Sequence, residues 1–246
     1  MTIIKMEWTK LLKKKNTRVL IGLYGVILLV MSGLYIFGEK SFGLSIYTES
    51  QFLKATLSTM MGFILPLIAL YLSSTKIIGE FSHHTIKNLM LLPIEKSKIF
   101  FGKIVSVQGL LGVLLLMQFM FSLVLGLLLD GGFSLGILMS LFGDYLGAFV
   151  VLGLINLSGA LLAMVFNSGG LTIFIGYILY IGMNFISLYV APFKAISLTT
   201  VISNYGSLFS GTSLTLLLSV LAYYMILYIV GSQLFEKKEV QSCQSE

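Results

Sequence analysis

An all-α, polytopic membrane protein with six transmembrane helices is the fold class this sequence predicts, and three observations predict it. Apolar residues make up 57% of the 246-residue chain. Charged residues make up only 11%, against roughly 25% in a soluble domain. Six stretches free of Asp, Glu, Lys and Arg approach or exceed the roughly 20 residues that a helix needs to cross the hydrocarbon core. So few charges cannot cover a water-facing surface, and lipid must be the principal solvent. The chain divides into residues 1–18, a membrane domain over 19–235 and a tail over 236–246.

The apolar stretches are Val19–Phe37, Ala55–Thr75, Ile104–Leu129, Tyr145–Phe166, Leu171–Val190 and Thr212–Phe235. Barrel strands would be about 10 residues long with strict alternation, and these runs show neither feature. The first run follows Lys10, Lys13, Lys14, Lys15 and Arg18, as the apolar region of a signal peptide follows its basic start. It is longer than the 7–15 residues of a signal's apolar region, and Gly38-Glu39-Lys40 follows it in place of a small-residue cleavage site.

Residues 1–18 form an expected interfacial helix. Ile4, Trp8, Leu11 and Leu12 fall at helical spacing while Lys5, Lys10, Lys13 and Lys14 lie mostly around the other side. Such a helix places its apolar side in lipid and its lysines toward anionic headgroups. A basic tail without fixed structure is the alternative. Counting Lys and Arg on alternate sides gives thirteen on the side of the N-terminus and three (Lys40, Lys54, Lys194) on the other. Positive loops remain cytoplasmic, so both termini are expected inside a bacterial plasma membrane. The net charge of +6 is thus a topology signal, and no aromatic-basic stripe points to nucleic acid.

Ionisable groups inside a span mark proton relays and ion pathways, and none lies well inside these spans. Asp130 and Asp144 read as solvated carboxylates at the outer edges of the third and fourth helices. Gln108, Gln118, Asn156 and Asn184 read as helix-helix glue. Ser158 has no base in reach for nucleophilic chemistry, since the two histidines, His83 and His84, fall in a loop. Adjacent histidines point about 100° apart on a helix and no third ligand completes a zinc site; no metal is expected. The lone Cys243 is a free thiol in the tail. No phosphate-cradling G-x-x-x-x-G-K-[ST] loop occurs: before Gly102-Lys103, Ser97 stands at the first glycine position and Ile104 at the hydroxyl position. The chain therefore binds no ATP or other cofactor of its own, and any active transport needs a partner's energy.

Residues 79–103, between the second and third spans, are the most informative segment. Ser82 is placed to cap a short helix from about His83 to Leu91, which Pro93 ends. A second amphipathic stretch, Ser97–Lys103, leads into the membrane. Glu80, Thr85-Ile86, Leu91-Leu92-Pro93 and Gly102-Lys103 make this segment resemble the type-2 ATP-binding-cassette (ABC-2) permease family. The resemblance departs at His84, where glycine is frequent, and at Lys96-Ser97-Lys98, where serine-arginine is usual. The N-terminal helix, six spans and a length near 250 extend it over nearly the whole chain.

This resemblance implies that Glu80, Phe81, His83, His84, Thr85, Ile86, Lys87, Asn88, Leu89 and Pro93 form a coupling helix seated in a groove of a cytoplasmic ATPase. Two copies of that ATPase, binding ATP and Mg, would pair with this chain and a second permease, identical or related, all in contact with membrane lipid. Asn167, Ser168 and Gly169 are a candidate second contact, or no more than a tight turn. Residues 191–211 interleave apolar side chains with Ser and Thr, and relatives fold this segment into short re-entrant helices. Phe63, Tyr71, Tyr177, Tyr180, Met183 and Asn184 are candidate lining for a translocation path, suited to amphipathic or hydrophobic cargo. The chain resembles small permeases of Gram-positive bacteria that export, or confer immunity to, antimicrobial and cytolytic peptides, with multidrug, sodium or lipid-linked cargo as the open alternatives. The competing readings are a scaffold or signalling protein and a secondary carrier or channel.

Overall fold

The computed structural model describes residues 3–42, 49–82, 96–130, 135–189, 201–202, 204–209 and 214–244, and no strand occurs among them. The first helix, α1 (Ile3–Lys13), is separated from α2 (Lys15–Phe42) by Lys14 alone. There the backbone tightens: the Lys14 N–H donates to the Leu11 carbonyl three residues back at 3.3 Å. The Arg18 N–H then donates to the Lys14 carbonyl, also at 3.3 Å, and opens α2.

The second rod consists of α3 (Glu49–Thr59), a π-helical turn (Met60–Ile64) and α4 (Leu65–Ser82). Pro66 accounts for the π turn. It has no N–H, and its ring would collide with the Gly62 carbonyl four residues earlier in a regular α ladder. The ladder widens instead, and the Leu65 N–H donates to the Met60 carbonyl five residues back. α5 (Lys96–Asp130), α6 (Leu135–Phe166), α7 (Gly169–Tyr189) and α8 (Leu214–Gln244) complete the described helices.

Among the described residues, five helices are long and apolar enough to cross a membrane, over Lys15–Leu34, Lys54–Gly79, Ser97–Leu125, Gly136–Phe166 and Thr215–Lys237. The fifth expected span falls on α7, whose apolar run, Gly169–Met183, is shorter. Several boundaries differ from the sequence reading. Ser82 is the last residue of α4, and the short helix expected from about His83 to Leu91 lies outside the described residues. Ser97–Lys103 is no separate stretch, because α5 begins at Lys96 and runs without a break. Its first turns stay helical by burying Ile99 and Phe100 against Phe235 and Leu157. α8 continues to Gln244, so most of the expected tail is helical.

α6 is the hub. Residues 151–157 of α6 are all buried, and the helix packs against α4, α5, α7 and α8. A helix buried on every side must be apolar all round, and α6 is, with small residues where neighbours come closest. Gly147 faces the Tyr205 carbonyl so closely that no Cβ would fit. Gly153 does the same for the Tyr224 hydroxyl, which donates to the Val150 carbonyl at 2.6 Å. By contrast α2 and α8 expose apolar stripes, Leu23, Leu29 and Leu34 on one and Leu218, Leu221 and Met225 on the other. In a membrane these stripes face acyl chains.

Within the segment 191–211, residues 201–202 are helical and Tyr205–Ser207 form a 3-10 turn. Val201, Ile202 and Leu208 are buried in the main core, so this part is no hydrated loop. The 3-10 turn lies against α6.

The contrast between two glycines of α6 is testable. Gly147→Ala must displace the Tyr205 backbone and is expected to cost about 1–3 kcal/mol. Gly143→Ala has open space around its Cβ and should gain up to about 1 kcal/mol from helix propensity. Thermal unfolding in detergent would read a lowered midpoint for the first and an unchanged or raised one for the second.

Candidate functional site

The described helices place both arms of the 79–103 loop. α4 carries Glu80 and Phe81 in its last turn and ends at Ser82, while α5 starts at Lys96. The loop is therefore flanked by rods that continue directly from the bundle. His83, His84, Thr85, Ile86, Lys87, Asn88, Leu89 and Pro93 lie outside the described residues.

Beside these arms the structure brings together charges that the sequence reading did not connect. Glu7 of α1 is fully buried, and its Oε2 lies 2.6 Å from the Nζ of Lys76, near the end of α4. The Lys76 ammonium also donates to the Glu7 main-chain carbonyl at 3.2 Å. The partly exposed Lys10 reaches Glu7 Oε1 at 3.3 Å. Lys103 of α5, 2% exposed, holds its Nζ 5.7 Å from the centre of the Phe235 ring. Burial pushes the Glu7 carboxyl upward, but the Lys76 contact and the charges of Lys76, Lys103 and Lys10 outweigh it and hold the group below the usual carboxylate range.

α1 packs part of its apolar side into the bundle while Ile4 and Leu12 remain exposed. Leu11 is 3% exposed and Trp8 packs against the core, while Ile4, Lys13 and Lys14 stay exposed. The Trp8 ring lies on Gly109 of α5, where a Cβ would come within 2.6 Å of it. Much of the apolar side therefore faces α5. The reason is Glu7, which lies on the same helical face as Leu11 and needs Lys76 to be buried at all.

The second candidate contact, Asn167-Ser168-Gly169, makes the turn between α6 and α7. Asn167 adopts φ 55°, a left-handed conformation that Asn tolerates, and its N–H donates to the Ala163 carbonyl at 3.2 Å. The Ser168 carbonyl accepts from the Thr172 N–H at 3.0 Å, the first bond of α7. Asn167 is exposed beyond the end of α6.

Four of the translocation candidates come together on one side of the rod formed by α3 and α4. Phe63, Tyr71 and Tyr177 line a groove of about 680 Å³ with Lys15, Leu23 and Ile27. Phe63 and Tyr180 line a neighbouring cavity of about 440 Å³ with Ser58, Ile202 and Tyr205. The Tyr177 and Tyr180 rings are 6.2 Å apart, and the Tyr180 hydroxyl donates to the Met61 carbonyl of the π turn at 3.4 Å. Met183 lines a third cavity of about 250 Å³ with Leu70 and Ser158, which Tyr180 and Ile202 also border. The Asn184 side chain lies outside the described residues.

The amides inside the bundle bond between helices. Asn156 of α6 accepts from the Ser73 hydroxyl at 2.8 Å and donates to the Ile104 carbonyl at 3.0 Å, joining α4 and α5. Gln118 accepts from the Tyr24 hydroxyl at 2.6 Å. Asp144, expected to be a solvated edge carboxylate, is instead an α6 residue with only 13% of its side chain exposed, 3.4 Å from Lys54 Nζ. The sequence concealed this pair because its partners are 90 residues apart, on different helices.

Apolar helices gathered about a buried hub, with interhelical amide bonds and ion pairs at the helix ends, define a multi-pass helical membrane protein. A family model described as ABC-2 family transporter protein matches residues 3–191, and the chain belongs to that family. Among curated proteins, none matches the chain. Family membership makes it an ATP-binding-cassette transporter permease, of a kind that partners with an ATPase and dimerises.

Two outcomes follow from the site. Asn156→Leu removes the joint between α4 and α5 and is expected to cost about 1–2 kcal/mol, read as a lower melting midpoint. Because the folded-state value of Glu7 lies below the ordinary one near 4.3, its pairing contributes stability at every pH above that value. The contribution is lost only as pH falls through the depressed value. Trp8, the sole tryptophan, reports on α1. Its emission in nanodiscs should stay constant from about pH 8 to about pH 5 and shift red only below about pH 4.

Proposed function

We infer that this chain is the permease subunit of an ATP-driven exporter, powered by a separate ATPase through residues 79–103. The observation that carries this reading is the pair of long helices, α4 and α5, that run unbroken to Ser82 and from Lys96 in a chain of the ABC-2 family. A load applied between Ser82 and Lys96 enters two rods that Asn156 ties to the hub.

In this reading α7, 21 residues long and hence about 32 Å, is a sixth span. Both termini and the 79–103 loop face the cytoplasm, as the lysine asymmetry supports. Part of 191–211 re-enters the bundle from outside, which the burial of Ile202 and Leu208 supports. Two ATPase copies bind ATP and Mg, and the chain itself performs no hydrolysis. It pairs with a second permease, identical or related, in the plasma membrane.

The cargo is amphipathic or hydrophobic, an antimicrobial or cytolytic peptide being the leading class. Phe63, Tyr71 and Tyr177 support this, because aromatic rings beside the inner lysine of the same groove suit a molecule with an apolar body and a polar end.

Replacing residues 83–93 with a Gly-Ser linker tests the coupling. The full-length variant is expected to reach the membrane yet lose capture of its partner ATPase and lose cargo efflux. Capture and efflux at wild-type levels would overturn the reading. In a Cys243→Ser background, Ser41→Cys should label with an impermeant maleimide from outside and Ser97→Cys should not; the reverse pattern would invert the orientation.

A further inference from the structure

The N-terminal helix meets α4 through the Glu7–Lys76 ion pair and α5 through the Trp8 ring on Gly109. Glu7 is buried against Lys76, three residues before the loop begins on α4. The charge of Lys103, the last residue of the loop and already part of α5, acts on the same carboxylate. Next to it the Trp8 ring fills the space left by Gly109, two turns further along α5. A surface anchor needs none of this. Lysines and an apolar stripe bind a helix to lipid, and an acidic residue facing inward only weakens that attachment. A buried carboxylate is tolerated where a cation meets it, and it is directional: moving α1 away would separate Glu7 from Lys76 and break the pair that makes burial of either charge tolerable.

We propose that Glu7 is a positioning residue, a charge clamp that fixes the N-terminal helix to α4 while Trp8 seats it on α5, so that the three helices flanking the coupling loop move as one strut. The inference rests on the reading of residues 79–103 given above. Its physical content is stiffness. Two helices converging on a short loop can splay or slide past each other under load. A third helix, held to one by an ion pair and to the other by ring packing, turns the pair into a braced triangle. Lys10, half exposed on the outer side of Glu7, screens the clamp from water.

The test uses the full chain with its ATPase in nanodiscs and proteoliposomes. Three variants, Glu7→Gln, Lys76→Gln and the double substitution, form a cycle, with Glu7→Asp as the conservative control. Each single variant is expected to retain ATPase capture but to export at least tenfold less cargo per ATP hydrolysed. Trp8 emission, measured on the permease alone, should shift red in both. The double variant should be no worse than either single one, since no charge is left stranded. Glu7→Asp should keep at least half of wild-type coupling.

Glu7→Gln within twofold of wild type, or single effects that multiply in the double variant, would overturn the clamp. Should either single variant fail to fold, Glu7→Asp and the double variant still decide: loss of coupling in both with unshifted Trp8 emission overturns it. A wild-type chain that captures no ATPase overturns the coupling reading itself, whereas capture with intact coupling in Glu7→Gln removes the clamp alone.

Discussion

Everything in this bundle depends on a helix that has no face left for solvent. α6 is enclosed along residues 151–157, and in hydrocarbon its enclosure brings little hydrophobic gain, since lipid tails are as apolar as leucine. Close packing and interhelical hydrogen bonds must supply what water exclusion supplies elsewhere. Ala148, Ala160 and Ala163, each completely buried, let α4 and α8 approach the hub. Asn156 then adds direction by binding Ser73 on one side and the Ile104 carbonyl on the other. α4 and α5 are thereby located with respect to α6, and they are the same rods that flank residues 83–95.

The polar groups are graded by depth in a way that the cost of desolvation explains. The amides and hydroxyls of Asn156, Gln108, Gln118 and Tyr24 find partners on other helices within the bundle. Full charges are expensive in the bilayer centre and are paired where they occur near its edges. Glu7–Lys76 binds α1 to α4 near the loop, and Lys54–Asp144 binds α3 to α6. Lys54 also donates to Ser140 of α6 at 2.9 Å. Each pair joins elements that the chain itself leaves free to separate.

The spans were legible because length and the absence of charge leave a membrane helix few alternatives, and the five longest fell close to the expected positions. Their ends were not. α6 starts ten residues before the expected Tyr145, because Gly143 and Asp144 look like loop residues until Lys54 is seen to neutralise the acid. The aromatic candidates Phe63, Tyr71 and Tyr177 did gather in one groove, whereas Met183, read from the same helix as Tyr177, turns toward Leu70. Glu7 was missed although a signal existed. It lies three residues after Ile4 and four before Leu11, inside the apolar stripe, where a solvated glutamate has no reason to be. The lysines around it drew attention to lipid headgroups and away from a partner on another helix.

The π turn gives the second rod its mechanical character. α3 is held to α6 by Lys54, with its ion pair to Asp144 and its bond to Ser140, and α4 is held to it by Ser73 at Asn156. Between these attachments the ladder is interrupted: Leu65 reaches back to Met60, and Pro66 has no N–H to offer. A regular helix shares a bending load over every turn, whereas one with a widened turn and a missing donor bends where the bonds are fewest. This rod is therefore weakest at Met60–Ile64, beside Phe63 and the Met61 carbonyl to which Tyr180 is bonded. The weakest point of the rod and the lining of the adjoining cavity coincide, since Met61, Gly62 and Phe63 belong to both.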